Sequence, residues 1–434
     1  PSGPTDFCFD GASDVTLTAD PQGSTIDSYI WYKNGNPMAG ETSNSITLDA
    51  VSESGTYTVR TIGPATTSCE SPLSDPVDVN IYELATTTDP VDDETCEAGN
   101  LTSGDATFSI TAGGAAHTIQ WQRSTDGITW VDITAGTTPS DGCTYSGYTT
   151  DELSISGAPY SMNGYEYRAV LTTTTGNCPT ISASATLTVN PLPDVDTPPA
   201  DDVTCELDAA SFNVAASIPA GSISSYQWER NGVSIDGTTD GSAYTGFNTA
   251  TLDIASALMS LNGNDYSVVI TSNNGCAVES PSAQLNVNPL ADISTQPADA
   301  EICANENTSF TVATDGNPAV TAYQWQVSVD GGATFWNVAT AVYSNENTAT
   351  LDLTGVPLSY NGNQYKCLIT TAGGCVIESA IAELTVNQPP NVNINPGSPS
   401  ALCNGETINF DGNAASGTAP YSHAWTGDIA PLDD

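Results

Sequence analysis

Tyr226-Gln227-Trp228 decides how this chain is read. A large apolar residue, a polar residue and then Trp is the period-2 pattern of a strand with one face buried and the other wet. Near copies recur as Tyr29-Ile30-Trp31, Ile119-Gln120-Trp121, Tyr323-Gln324-Trp325 and His423-Ala424-Trp425. Successive Trp residues stand 90, 107, 97 and 100 positions apart, the size of one small β domain. The 434 residues therefore read as a tandem array of four complete units and one incomplete unit.

Working outward from the Trp, the same landmarks return in each unit. A Cys stands seven residues ahead of a core residue that opens an alternating strand: Cys8 before Val15, Cys205 before Phe212, Cys303 before Phe310, Cys403 before Phe410. The second unit stretches this gap to twelve, Cys96 before Phe108. After the Trp come Asn34-Gly35, Asp126-Gly127, Asn231-Gly232 and Asp330-Gly331, dipeptides that tolerate the positive φ of a tight hairpin. Another alternating strand follows at Ile46-Thr47-Leu48, Leu153-Ser154-Ile155, Leu252-Asp253-Ile254 and Leu351-Asp352-Leu353. Next is a Tyr, at Tyr57, Tyr167, Tyr266 and Tyr365, placed at the start of a strand after a tight corner. The expectation is that each such Tyr hydrogen-bonds its own corner shut.

About seven short strands, one Trp hub and one corner Tyr per 100 residues predict an all-β fold, a linear array of immunoglobulin-like β-sandwich domains. The core hubs are Trp31, Trp121, Trp228 and Trp325 with Tyr57, Tyr167, Tyr266 and Tyr365. Expected boundaries are 1–82, 83–190, 191–288 and 289–387, with 388–434 a partial immunoglobulin-like or PKD-like fifth domain. The joints Asn190-Pro191, Asn288-Pro289 and Asn387-Gln388-Pro389 are short and stiff, which favours an extended rod. The last unit stops before a corner Tyr; the expectation is that the sequence breaks off within a domain, the alternative being that another chain completes the sandwich.

Six Lys or Arg against 51 Asp or Glu give a formal charge of −45. Nucleic acid and anionic membrane surfaces would be repelled. This acidity is read as solubility and self-repulsion of an exposed surface, the alternative being a cation-dependent surface. No apolar run is long enough to insert in a membrane, and an export signal, if there is one, lies outside these residues. Eleven Cys in a Lys-poor chain suit an oxidising, extracellular setting, and no C-x-x-C motif points to zinc or thioredoxin-like chemistry.

Several stretches resemble the tandem immunoglobulin-like and PKD-like repeats of large secreted surface proteins of Bacteroidota, among them adhesins, gliding-motility and type IX-secreted proteins. They are Trp121 through Trp130, Trp325 through Gly332, Asn274-Gly275-Cys276, Gly373-Gly374-Cys375 and, for the PKD-like kind, Thr418 through Trp425. The resemblance implies a secreted, cell-surface protein, and such modules serve adhesins, stalks and enzyme appendages alike. The chain departs from animal immunoglobulin domains at Val59, Ala169 and Val268, where those domains carry the second Cys of a Tyr-x-Cys pair; only Tyr365-Lys366-Cys367 keeps it.

Four units carry a further Cys ten to twelve residues after the corner Tyr, at Cys69, Cys178, Cys276 and Cys375. One scheme closes a disulfide inside each unit: Cys8 to Cys69, Cys96 to Cys178, Cys205 to Cys276, Cys303 to Cys375. The other links neighbours, because the early Cys belongs at the bottom of a sandwich and the late Cys at its top: Cys8 to Cys178, Cys96 to Cys276, Cys205 to Cys375. The sequence is compatible with both. Cys367 reads as a buried inert thiol, and Cys143 as a surface thiol or a link to another chain.

Acidic residues gather at the joints: Asp89, Asp92, Asp93 and Glu94; Asp194, Asp196, Asp201 and Asp202; Asp292, Asp299 and Glu301. They read as solvated charge, with calcium binding at the junctions the sharper alternative. Lys33, Arg123 and Arg230 lie two after a Trp, and Arg168 and Lys366 follow a corner Tyr, positions for structural ion pairs. His117 and His423 read as strand residues, and Asn100-Leu101-Thr102 and Asn307-Thr308-Ser309 match the glycosylation sequon weakly. No nucleophile with a base, metal set or phosphate loop can be assembled, so no enzyme activity and no cofactor are expected. The functional expectation is an extracellular cell-surface repeat protein, a stiff stalk or fibre for adhesion or surface contact. Its partners would be other cell-surface proteins, glycans or copies of itself. The alternatives are a self-assembling filament or sheath subunit and a non-catalytic appendage of a secreted hydrolase.

Overall fold

The computed structural model describes residues 5–422 apart from 24, 65–68, 135–138, 237–243, 340, 396–410 and 416–421. Cys403, Phe410, His423 and Trp425 lie outside the described residues. Four separate hydrophobic cores, one in each of the first four units, hold the chain together.

The third unit gives the plan. One sheet is ordered Val233–Ser234, Ile223–Arg230, Asp265–Ser272, Ala283–Asn288, Asp202–Cys205, with Ala277–Glu279 also paired to Asp265–Ser272. The facing sheet is ordered Ala210–Asn213, Thr251–Ile254, Tyr244–Thr245. The first strand serves both layers. Asp194–Thr197 pairs antiparallel with Ala215–Ser217, and after Pro198-Pro199 the chain crosses over so that Asp202–Cys205 runs parallel to Ala283–Asn288. Proline cannot donate to a ladder, so the crossing falls where neither sheet needs an N–H. The same switch occurs at Pro90 and Pro297. Asn391–Asn395 pairs with Asp411–Ala415 as the first strands of the second, third and fourth units do with their own partners. The chain is thus all-β, a series of immunoglobulin-like β-sandwiches.

Alternation decides which way each strand faces. Asn363–Thr371 buries every second residue, the pattern a two-layer core demands. Opposite Trp31, Trp121, Trp228 and Trp325 stand Val59, Ala169, Val268 and Cys367, so Cys367 fills a core site beside an indole. All four indoles are fully buried, and each donates its N–H to a loop carbonyl, of Ser43, Thr150, Thr249 and Thr348, at 2.9 to 3.0 Å. A buried Trp without that acceptor would leave an unmet donor.

Three sequence expectations are corrected. Counting from Cys8 matched Val15 to Phe212, but Phe212 pairs with Leu252, and the corresponding pair in the first unit is Leu17 with Ile46. Strand pairing, not distance from the Cys, sets the position. Asn34-Gly35 and Asn231-Gly232 do form two-residue hairpins with both φ positive, yet Asp126 and Asp330 keep negative φ. Their carboxylates instead cap wider turns, Asp126 accepting from the N–H of Ile128 and Thr129, and Asp330 from that of Thr334. Those hydrogen bonds hold the Asp126 carboxyl far below the usual range and, with the Thr334 and Ser328 hydroxyls, bring Asp330 to about 2.

The corner tyrosines are the third case. Tyr57 closes its own corner by donating to a backbone carbonyl, that of Glu53. In the next three units the hydroxyl meets a second Tyr 22 residues earlier, Tyr145 with Tyr167 at 3.3 Å, Tyr244 with Tyr266 at 3.1 Å and Tyr343 with Tyr365 at 3.2 Å. Each pair joins one sheet to the other across the core. Phe108, Phe212 and Phe310 stack on the same corner Tyr with ring centroids 4.7 to 4.8 Å apart.

Candidate functional site: the disulfide-joined junctions between units

The chemistry that sets this array apart lies between its units. Cys96, Cys205 and Cys303 end their strands level with Asn190, Asn288 and Asn387, at the base of the unit. Cys178, Cys276 and Cys375 sit at the opposite end, in the turn that follows the Tyr strand. From Cys276 to Asn288 the chain runs twelve residues along one edge, about 40 Å at strand rise. A disulfide spans only about 4.4 to 6.8 Å between Cα atoms, so closure inside one unit is ruled out by geometry.

The bridges run between neighbours. Cys8 joins Cys178, Cys96 joins Cys276 and Cys205 joins Cys375, with Cα separations of 5.6, 5.5 and 5.7 Å. This is the second of the two schemes, and the within-unit pairings are corrected accordingly. Cys178, Cys276 and Cys375 are buried in the junctions. Cys69 and Cys303, both candidates for a bridge, are exposed and take no part in the three.

Each bridge sits in a docked turn. The residue before the late Cys is left-handed at every junction: Asn177 at φ 52°, Gly275 and Gly374 at 82°. This kink lets Ser272 and Thr371 donate to the carbonyls of Cys276 and Cys375, closing the turn and aiming the sulfur at the unit above. At the first junction Gly176 lies directly against the ring of Tyr82. At the second, Asn274 donates to the side chain of Asn190 at 2.6 Å, and Asn100 grips the backbone of Glu279 through both its amide and its oxygen, at 3.0 and 3.3 Å. The sequon at Asn100 is therefore engaged in a joint. At the third, Asn288 donates to the carbonyl of Gly373 at 3.2 Å, and a Cβ on Gly373 would stand 2.7 Å from that of Asn288.

Sequence reasoning gave the junction acids to solvent or calcium; the structure shows most of them tying strands together. Asp89, Asp92, Asp201 and Asp299 accept backbone N–H groups from Ala183, Thr186, Gln284 and Glu383. Asp93 and Asp202 accept from Thr107 and Ser211, and Glu94 and Glu301 accept from Asn190 and Asn387. Among the described residues no three His, Cys, Asp or Glu side chains come together as a metal-holding set.

The basic side chains are spent on structure. Arg123 pairs with Asp141, whose carboxylate also accepts from Tyr145 at 2.6 Å, and this group is almost wholly buried. Arg168 lies over Trp130 at 4.1 Å, Lys366 over Phe335 at 4.6 Å while paired with Glu378, and Arg60 pairs with Glu70. Lys33 donates to Ser52, Arg230 to Tyr244 and His117 faces the carbonyl of Ala115. Cys143, expected as a surface thiol or a link to another chain, is instead 5% exposed, beside Arg123, Asp141 and Tyr145. Burial pushes its thiol up, and pushes that of Cys367 up to about 11. Neither is placed to react. No helix among the described residues is long and apolar enough to cross a membrane.

No family model and no curated protein sequence matches the chain. Solved structures with tandem immunoglobulin domains do. Sidekick-1 immunoglobulin domains 1–5 are 17% identical, covering 89% of this chain and 79% of that one, at a TM-score of 0.28. The N-terminal eight immunoglobulin domains of Down Syndrome Cell Adhesion Molecule are 14% identical over 89% of this chain and 48% of theirs, at 0.38. The insect immune protein hemolin is 13% identical over 89% and 99%, at 0.27.

Proposed function

We propose that the chain is part of an extracellular, cell-surface array that serves adhesion or surface contact, its units locked into a stiff stalk. The observation that carries this reading is the set of three disulfides between successive units. Disulfides persist in oxidising compartments, and placing them at joints fixes neighbours relative to one another where a flexible linker would not. The strong negative charge suits an exposed surface that must stay soluble. Contacts with other surface proteins, glycans or further copies of the chain would be individually weak and multiplied along its length.

Protease shaving of intact producing cells tests the location, with non-reducing peptide maps of the released material. Recovery only from the cytosol, with reduced cysteines, would remove the reading. Beads coated with the oxidised array should cluster with one another or with producing cells. Bead suspensions that stay dispersed in both mixtures would leave a spacer without adhesion. A second reading, contact with polysaccharide, is favoured by one side chain: Trp336, on an edge strand, is 67% exposed. Trp336→Ala would abolish binding on a glycan panel if that reading holds.

A further inference from the structure

We propose that the cysteine ladder makes the array a force-bearing cable, whose length between Cys8 and Cys375 is set by one 27-residue stretch of backbone rather than by the strength of its sandwiches. Covalent connectivity alone sets this limit, whatever the array contacts. Tension applied at the ends enters at Cys8 and crosses to Cys178. It then follows the chain from Cys178 to Cys205 and crosses to Cys375. Residues 9–177 and 206–374 hang outside that path. Pulling cannot draw them out while both bridges are intact.

The 27 residues are nearly taut already. They run through Pro179–Ile181, Ala185–Asn190, Asp194–Thr197 and Asp202–Cys205, strands that carry the chain from the top of the second unit to the base of the third. With a unit about 40 Å long at strand rise, this span is about 80 Å folded. Fully extended, 27 residues reach about 90–97 Å. Without the bridges the same two points are joined by 367 residues, which can extend to about 1,200–1,300 Å.

The spacing repeats. Cys69 to Cys96 and Cys276 to Cys303 are also 27 residues, so the Cys96–Cys276 bridge joins two struts of identical length, offset by one unit from the first path. The array is two interleaved cables of equal struts, each strut spanning two units and each bridge splicing one strut to the next. A sandwich in such a ladder is a spacer that keeps the cables apart and is itself shielded from load.

Single-molecule stretching of the full chain, held by its two termini, tests this. The oxidised protein should release no more than about 20 Å between Cys8 and Cys375, whereas with reductant it should show unit-by-unit unfolding that adds about 1,100 Å. The decisive comparison is between two double variants. Cys205→Ser with Cys375→Ser leaves 181 residues as the shortest covalent path between Cys8 and Cys375 and should release about 520–570 Å. Cys96→Ser with Cys276→Ser leaves the 27-residue path intact and should extend no further than wild type. If bridges acted only by stabilising folded units, the two variants would behave alike. Because the limit is covalent, it holds in concentrated guanidinium even for a variant that folds poorly, once peptide mapping has verified its remaining bridges. Equal release by the two variants, or stepwise lengthening of the oxidised wild type across this span, would overturn the proposal.

Discussion

Cys96 and Cys276 are 180 residues apart along the chain and 5.5 Å apart at their Cα atoms, in neighbouring sandwiches. The pairing follows from strand direction and the stacking of units. Cys96 runs out at the base of its unit level with Asn190, and Asn190 receives a hydrogen bond from Asn274, two residues before Cys276. Base and top meet only between units stacked head to tail, so the bridge is a statement about the array and not about either domain.

Closing a loop of 170 to 180 residues stabilises the folded state by about 5 kcal/mol in the chain-entropy description. Cys96→Ser with Cys276→Ser should therefore lower the guanidinium midpoint of the second and third units, by a free energy of up to that size. Because the three loops overlap, removing all three should cost less than three times as much. An unchanged midpoint in the first variant would mean that the junction contacts of Asn100 and Asn274 fix the units without the bridge.

The buried tyrosines set an alkaline limit. Burial raises Tyr145, Tyr167, Tyr266, Tyr343 and Tyr365, and brings Tyr57 to about 12. A group raised in the folded state holds its proton there more tightly than in the unfolded chain. Its contribution is complete below the unfolded value near 10 and is lost as pH rises above it. The tyrosinate absorbance of these buried residues should therefore appear only together with loss of near-ultraviolet circular dichroism. Tyr244→Phe, which removes one hydroxyl of the pair with Tyr266, should cost about 1–2 kcal/mol. Titration of all tyrosines at pH 10 in a folded protein would contradict this.

The Trp and Tyr landmarks were legible because each fills the same register position in every unit, and burial at that position tolerates little else. The junction bridges were legible only as one of two schemes, since deciding between them needs the direction of the strand after Cys178 and the stacking of units, neither of which is local. Tyr145, Tyr244 and Tyr343 went unread although their spacing of 22 to the corner Tyr is constant, because they fall in polar, Gly-rich stretches on the opposite sheet. The slip from Leu17 to Val15 arose from counting along the chain where pairing with Ile46 is what places the residue. The junction acids do face water, as their sequence suggested, but the hydrogen bonds that Asp89, Asp92, Asp201 and Asp299 accept from neighbouring strands leave no local mark in the sequence.

Asp141 neutralises Arg123 in a place where their side chains are only 6% and 11% exposed. Removing one partner of a buried pair strands the other charge, at a cost of about 3–5 kcal/mol, whereas replacing both by apolar residues is often close to neutral. Asp141→Ala should thus destabilise the second unit by about 3 kcal/mol or more in urea denaturation, and Arg123→Met with Asp141→Leu should recover most of the loss. Similar stability of the single variant and wild type would show that the guanidinium finds water or the Tyr165 ring, 5.1 Å away, sufficient.

Thiol reactivity should separate the cysteines outside the bridges by burial. Cys303 is exposed, while Cys143 and Cys367 are buried with their thiols raised, so the reactive thiolate is scarce and sheltered in both. Iodoacetamide applied to the native, oxidised protein should label Cys303 within minutes. Cys143 and Cys367 should react only as their units open, at a rate that climbs with added denaturant. Mass spectrometry of labelled peptides reads all three at once. Rapid native labelling of Cys367 would mean that the core around Trp325 opens far more readily than a closed sandwich allows.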